Sequence, residues 1–309
     1  MGKREERRVE SEGVRVEVIE PHGFCSGVKG AVEKARRALS AGGPVWCLHE
    51  LVHNKTVVGE LKGLGMRFVE SLSDVPDGGT VLFSAHGVPP RVRAQAAVRG
   101  MRVIDATCPF VARAHRQVQE FAARGVPVVV VGDAGHVEVA GLVGEYEDTS
   151  GLDGLKGLRV VKDAGEVEAL PFPADRPVGV VCQTTLSSGT VDRVLFALRA
   201  RYPCLIAPPA AETCTATRDR QAAVRMFVLA GDPSVTGVLV IGSATSANTA
   251  RLAEIAREAG ATAWRVDGTD ELSLCDFAGI ERLGLTAGAS TPEAIVMDVL
   301  SNLSIGKVK

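Results

Sequence analysis

What the chain lacks narrows the field. No two of its 7 cysteines stand as C-x-x-C, which removes zinc ribbons, thioredoxin-like redox motifs and ferredoxin-type runs, all built on close cysteine pairs. There is no G-x-x-x-x-G-K-[ST], and no G-x-G-x-x-G follows a strand-like run, so a nucleotide cofactor has no support. Aromatic residues make up only 4% against an apolar share of 46%, and the core must be built from Val, Ala and Leu. A formal net charge of -2 and a pI near 6.3 leave no general field for nucleic acid or anionic membrane. No apolar run approaches the roughly 18 residues that span a bilayer. The N-terminus is charged, without the apolar centre of a signal peptide, and Glu6 stands where a myristoylation start requires Ser or Thr. The expectation is a cytoplasmic protein, a monomer or homodimer, that engages neither nucleic acid nor membrane.

What is present is a repeated pattern. Strand-like Val14 to Ile19 leads to Cys25 and a helical run from Ser26 to Leu39. Met101 to Asp105 leads to Cys108 and a helical run from Phe110 to Arg124, and Cys204 to Ala207 leads to Cys214 and a helical run from Ala216 to Leu229. With 309 residues, two or three domains of about 100 residues are expected. The pattern divides the chain into a polar tail, 1–13, and three α/β domains, 14–107, 108–210 and 211–309. Alternating strands and helices imply mainly parallel sheets covered by helices, with ligands at the strand C-termini. Asp148 to Pro177, rich in Gly, Asp and Pro, reads as a surface excursion.

A thiolate at a helix N-terminus meets unpaired N–H groups and the positive end of the dipole, which lowers its pKa and readies it as a soft-metal ligand. Cys25, Cys108 and Cys214 could ligate three irons of a [4Fe-4S] cube, leaving one iron without a protein thiolate, or appear as a [3Fe-4S] cluster once that iron is lost. Three buried structural cysteines and a zinc ion are the competing readings. Cys47, Cys182, Cys204 and Cys275 stand in or beside apolar stretches and read as core.

His53, His86 and His136 fall in loops at strand ends and, with Ser246, Asn248 and Ser290, would make a hydrogen-bonding cage for a phosphate group. Glu138, two residues from His136, is the carboxylate best placed to give a proton, and Thr184 could relay it; Thr184-Thr185 reads equally well as a helix cap. His22, His49 and His115 read as structural, with His22 and His49 near enough in sequence to support the site.

From about Val16 to Leu300 the chain resembles the 4-hydroxy-3-methylbut-2-enyl diphosphate reductase (LytB) family. The blocks that carry the likeness are GFCSGV, ELVHNKTVV, SAHGV, DATCP, GHVEVAG, QTTLS, ETCTATRDRQ, GSATSAN and TAGASTP, in that order. The resemblance implies a three-lobed cloverleaf of α/β domains around a cluster held by Cys25, Cys108 and Cys214. It implies that His53, His86, Ser246, Asn248 and Ser290 take an allylic diphosphate, with His136, Thr184 and Glu138 around the substrate hydroxyl. The implied reaction is reductive removal of that hydroxyl to give isopentenyl and dimethylallyl diphosphate in the methylerythritol phosphate pathway, with electrons from ferredoxin or flavodoxin.

Four positions depart from the family pattern. Ala247 stands where a second serine is usual, Ala244-Thr245 replace a Lys/Arg-Asn pair, and His22 replaces an arginine before the first cysteine. Losing one hydrogen bond to a charged group costs about 1.5 to 3 kcal/mol. The alternative readings are a divergent paralogue acting on another allylic diphosphate, a non-redox dehydratase, and a non-catalytic cluster-binding sensor.

Overall fold

The computed structural model describes residues 8–11, 14–146, 157–207 and 214–304. In chain order the strands are β1 (Arg8–Ser11), β2 (Val14–Val18), β3 (Val45–Leu48), β4 (Met66–Val69), β5 (Thr80–Phe83), β6 (Arg102–Asp105), β7 (Val128–Val131), β8 (Leu158–Val161), β9 (Val178–Cys182), β10 (Leu205–Ile206), β11 (Thr236–Ile241), β12 (Thr262–Val266) and β13 (Arg282–Ala287). The helices are α1 (Ser26–Ser40), α2 (Lys55–Gly63), α3 (Pro90–Val98), α4 (Pro109–Ala123), α5 (Val137–Val143), α6 (Ser188–Arg201), α7 (Thr215–Leu229), α8 (Ala247–Glu258) and α9 (Glu293–Ser304). As the alternation of strands and helices implied, the fold is α/β with three separate sheets.

The described residues fall into two compact units, one within 1–26, 53–57 and 216–309, the other within 27–52 and 58–215. The first unit holds a five-stranded sheet in the order β1-β2-β13-β11-β12, parallel except for β1 against β2. The second holds two fully parallel sheets, β4-β3-β5-β6 and β10-β9-β7-β8.

The central strands are apolar throughout because both faces are covered, as parallel sheets require. Successive side chains point to opposite faces. On β11, Leu239 and Ile241 therefore pack with Val296, Val299 and Leu303 of α9, while Val238 and Val240 pack with Val224 and Val228 of α7 and Leu252 and Ile255 of α8. On β7, Val129 and Val131 join Val194 and Leu198 of α6, while Val128 and Val130 join Val118 of α4 and Leu142 of α5.

Three details depart from the sequence reading. The polar stretch 1–13 contains β1, and β2 pairs with β13 near the other end of the chain. Of Asp148 to Pro177, residues 148–156 lie outside the described ones, but the rest is no surface excursion. There β8 joins a sheet, and Val161, Val167, Leu170 and Phe172 are core residues whose spacing was hidden by the intervening Gly, Asp and Pro. Cys204 is exposed rather than core, because it sits in the turn after Tyr202, which takes the buried place. Cys47, Cys182 and Cys275 are buried as expected.

Candidate functional site

In the second unit the strand ends β5, β7 and β9 deliver His86, His136 and Thr184. His136 is the N-cap of α5, and its Nδ1 accepts the Glu138 N–H at 3.1 Å, so the ring proton resides on Nε2. The ring stands edge-on to His86, centroids 5.9 Å apart and planes at 85°. One residue into α5, the Glu138 side chain turns into the core, where it is 2% exposed.

Thr184 meets that carboxylate twice. Its N–H donates to Oε1 at 2.7 Å and its Oγ1 to Oε2 at 2.9 Å. Gln183 fastens the same corner: its Oε1 accepts the Asp133 N–H at 2.9 Å and its Nε2 donates to Thr185 Oγ1 at 2.9 Å. The cap of α6 is Ser187, whose hydroxyl accepts the Thr190 N–H, so Thr184 is not a capping residue. Burial pushes the Glu138 carboxyl above its ordinary range, while the Thr184 bonds and the charge of His115 pull the other way. The arrangement is a buried carboxyl whose pKa is raised by desolvation and whose two oxygens meet the N–H and hydroxyl of one threonine.

In the first unit the ends of β11 and β13 deliver Ser246, Asn248 and Ser290. Ser246 caps α8 by accepting the Thr249 N–H at 3.3 Å. Ser290 Oγ donates to the His53 carbonyl at 3.0 Å, which brings those two residues together. Asn248 is buried, yet neither Nδ2 nor Oδ1 has a hydrogen-bond partner among the described residues. A buried amide left unpaired costs about 1 to 3 kcal/mol. At a helix N-terminus, backbone N–H groups favour an anion, and an amide placed there could meet its oxygens.

His22 and His49 each meet carboxylates. His22 Nε2 lies 3.0 Å from Glu293 Oε2 and its Nδ1 3.4 Å from Glu20 Oε2, while Arg220 holds the carbonyls of His22 at 3.4 Å and Gly23 at 2.7 Å. Arg220 thus anchors the Cys25 loop, whose N–H at Cys25 reaches the Ala289 carbonyl at 3.1 Å. His49 pairs with Glu70 at 2.8 Å.

Cys25, Cys108 and Cys214 each directly precede or cap a helix of 15 residues, and none is in a disulfide. Cys108 is the N-cap of α4, with Pro109 in the first turn and no cap bond from its side chain. Residues 212 and 213, beside Cys214, lie outside the described ones. Cys25 belongs to the first unit and Cys108 and Cys214 to the second. Within either unit alone, no three His, Cys, Asp or Glu side chains among the described residues are arranged to hold a metal ion. Three thiols at helix N-termini, none in a disulfide, are the donor chemistry an iron-sulfur cluster takes, and in that respect the residues fit one. Cys47 offers the contrast: burial pushes its thiol up to about 12, out of reach of the thiolate form.

The family model described as LytB protein matches residues 16–304. The chain belongs to the LytB family. Among proteins of this family, the 4-hydroxy-3-methylbut-2-enyl diphosphate reductase of Tolumonas auensis (strain DSM 9187 / NBRC 110442 / TA 4) is 41% identical over 291 residues, 94% of this chain and 91% of that protein. The solved E-1-hydroxy-2-methyl-but-2-enyl-4-diphosphate reductase of Plasmodium falciparum superposes with a TM-score of 0.85 at 30% identity, covering 93% of this chain and 86% of that one. A second solved structure, described as (E)-4-hydroxy-3-methyl-but-2-enyl diphosphate reductase, the terminal enzyme of the non-mevalonate pathway, gives 0.64 at 32% identity over 93% and 98%.

The sequence reading left His115 as an ordinary structural histidine. In the fold it is buried on α4, its Nδ1 2.6 Å from Glu145 Oε1. Its spacing of seven residues from Cys108, two helical turns, was the available signal.

Proposed function

We propose that this chain is a 4-hydroxy-3-methylbut-2-enyl diphosphate reductase, removing the allylic hydroxyl as water to give isopentenyl and dimethylallyl diphosphate at the end of the methylerythritol phosphate route. Membership of the family supplies the reaction. The buried Glu138–Thr184 pair is the observation in this chain that carries the reading, because loss of hydroxide from carbon demands a proton donor and burial raises the pKa of this carboxyl above its ordinary value. Overall the substrate takes up two electrons and two protons and releases one water.

Asn248, with the N–H groups opening α8, would bind the diphosphate, assisted by Ser246, Ser290, His53 and His86. His136 and Thr184 would orient the hydroxyl end. With Glu138 protonated, its Oε2–H donates to Thr184 Oγ1, and the threonine hydrogen passes to the departing oxygen; Glu138 then takes a replacement proton. Cys25, Cys108 and Cys214 would hold a [4Fe-4S] cluster with one iron free of protein thiolate, which when bound supplies the electrons and a Lewis-acidic site. Ferredoxin or flavodoxin is the electron donor in this reading.

The test is anaerobic reconstitution with iron and sulfide, followed by assay with 4-hydroxy-3-methylbut-2-enyl diphosphate and a strong one-electron reductant. Isoprenoid diphosphates are the expected products. Their absence, or turnover that continues without reductant, would overturn the proposal.

A further inference from the structure

One buried imidazole in the second unit touches three pieces of the proposed proton-delivery apparatus. His115 lies on α4, the helix that Cys108 caps. Its Nδ1 meets Glu145 Oε1 at 2.6 Å just beyond α5, the helix that carries Glu138. Glu145 is itself buried, and its other oxygen accepts from Gln119 Nε2, one turn further along α4. So one carboxylate hooks two residues of α4 at i and i+4 spacing, tying the two helices together away from water.

The opposite edge of the ring fills a slot that only glycines leave open. A Cβ on Gly87, which has φ +76 and directly follows His86, would stand 2.8 Å from His115 Nε2. A Cβ on Gly141, in the turn of α5 after Glu138, would stand 3.1 Å from Cε1 and 3.2 Å from Nε2. Nε2 is buried without a hydrogen-bond partner among the described residues. A core position that needed only volume would take a leucine or phenylalanine; a paired imidazole pressed edge-on into two glycines is a more demanding choice. The charged groups that act on this ring are Glu145, by direct contact, and Glu138, by electrostatic coupling; both are carried on or just past α5.

We propose that the His115–Glu145 pair is a positioning device for proton delivery: it locks the helix of Glu138 and the turn of His86 against α4, so that the Glu138 carboxyl is held in one geometry toward Thr184. The proposal rests on the reading of Glu138 as the proton donor. His115 itself touches no substrate in this scheme.

The decisive variant is the double replacement His115→Phe/Glu145→Leu. Exchanging both members of a buried pair for apolar residues of similar size is commonly tolerated by the fold, whereas removing one alone strands a charge. In the cluster-loaded enzyme, kcat should fall by about tenfold or more while KM for the allylic diphosphate stays within about twofold. The alkaline limb of the kcat profile should move to higher pH, because the positive charge that lowers the Glu138 pKa is gone. Glu145→Gln, nearly isosteric and still an acceptor for the His115 ring, should lower the melting temperature while shifting that limb, and it serves as the test if the double variant does not fold. A double variant, or failing that Glu145→Gln, with wild-type kcat and an unmoved pH limb would overturn the proposal. Glu138→Gln in the same assay separates the two ideas. If it keeps wild-type turnover, the underlying reading of Glu138 fails; if it is inactive while the pair variants behave as wild type, only the positioning role fails.

Discussion

Glu138 and Thr184, 46 residues apart in the chain, share two hydrogen bonds of 2.7 and 2.9 Å, and the carboxylate so held is almost wholly buried. Burial raises its pKa and the two threonine bonds restrain that rise.

Glu138→Gln keeps an oxygen for the Thr184 N–H but has no proton to give. Turnover should fall by about 10²- to 10⁴-fold, the usual contribution of a positioned acid. Steady-state kinetics on the cluster-loaded protein checks it; activity near that of the parent would remove Glu138 from the mechanism.

The same substitution has a thermal signature. The folded-state pKa of Glu138 lies above its ordinary value of 4.5, so its contribution to stability is full below that value and is lost as pH rises through the folded pKa. Glu138→Gln abolishes this loss. Its melting temperature should therefore gain on the parent as pH rises from about 4.5 upward and should show no such gain at lower pH, measured by calorimetry across pH.

Thr184→Val removes the hydroxyl and leaves the N–H bond. The acid loses one of the interactions lowering its pKa, so the alkaline limb of the kcat profile should move up while kcat falls by about tenfold or more. Thr184→Ser, which restores the hydroxyl, should recover most of the rate. Equal rates for the valine and serine variants would dispose of the relay.

Asn248→Ala should separate binding from folding. The amide has no hydrogen-bond partner among the described residues, so its removal should leave the melting temperature unchanged or higher, while KM for the allylic diphosphate rises by about tenfold or more through loss of hydrogen bonds to a charged group. A drop in stability with no change in KM would mean that the amide is structural.

Replacing Cys25, Cys108 or Cys214 by alanine should each abolish stable iron and acid-labile sulfide uptake on anaerobic reconstitution, read by metal analysis and visible absorption. Cys204→Ala, at an exposed position, is the control and should load as the parent does. Full loading of any of the three ligand variants would exclude that residue from the cluster.

Much of this site was legible along the chain because its parts are local. The helices after Cys25, Cys108 and Cys214 follow from apolar spacing and an opening proline or small residue, and the loops bearing His86, His136, Ser246 and Ser290 follow from strand runs that end in polar, glycine-containing turns. The likeness of ordered blocks named the family before any geometry was considered. His115 is the buried structural histidine that was expected, but its partner was not legible, since a lone histidine within an amphipathic helix carries no local sign that Glu145, 30 residues on, will meet it in the core. Asp148 to Pro177 misled for a related reason: turn-forming residues dominate its composition, while the few apolar ones that fix β8 become visible only against β7.

The residue pattern by itself determined that the chain is α/β, that each strand of a central sheet is buried on both faces, and that thiols stand at three helix starts, because periodicity and capping act over a few residues. Only the tertiary structure decided that β2 pairs with β13, that Asn248 has no hydrogen-bond partner among the described residues, that Glu138 is bonded by Thr184, and that His115 meets Glu145. Those outcomes depend on desolvation and on contacts between distant segments, and a proton donor's strength is set there, by what surrounds it once water has been excluded.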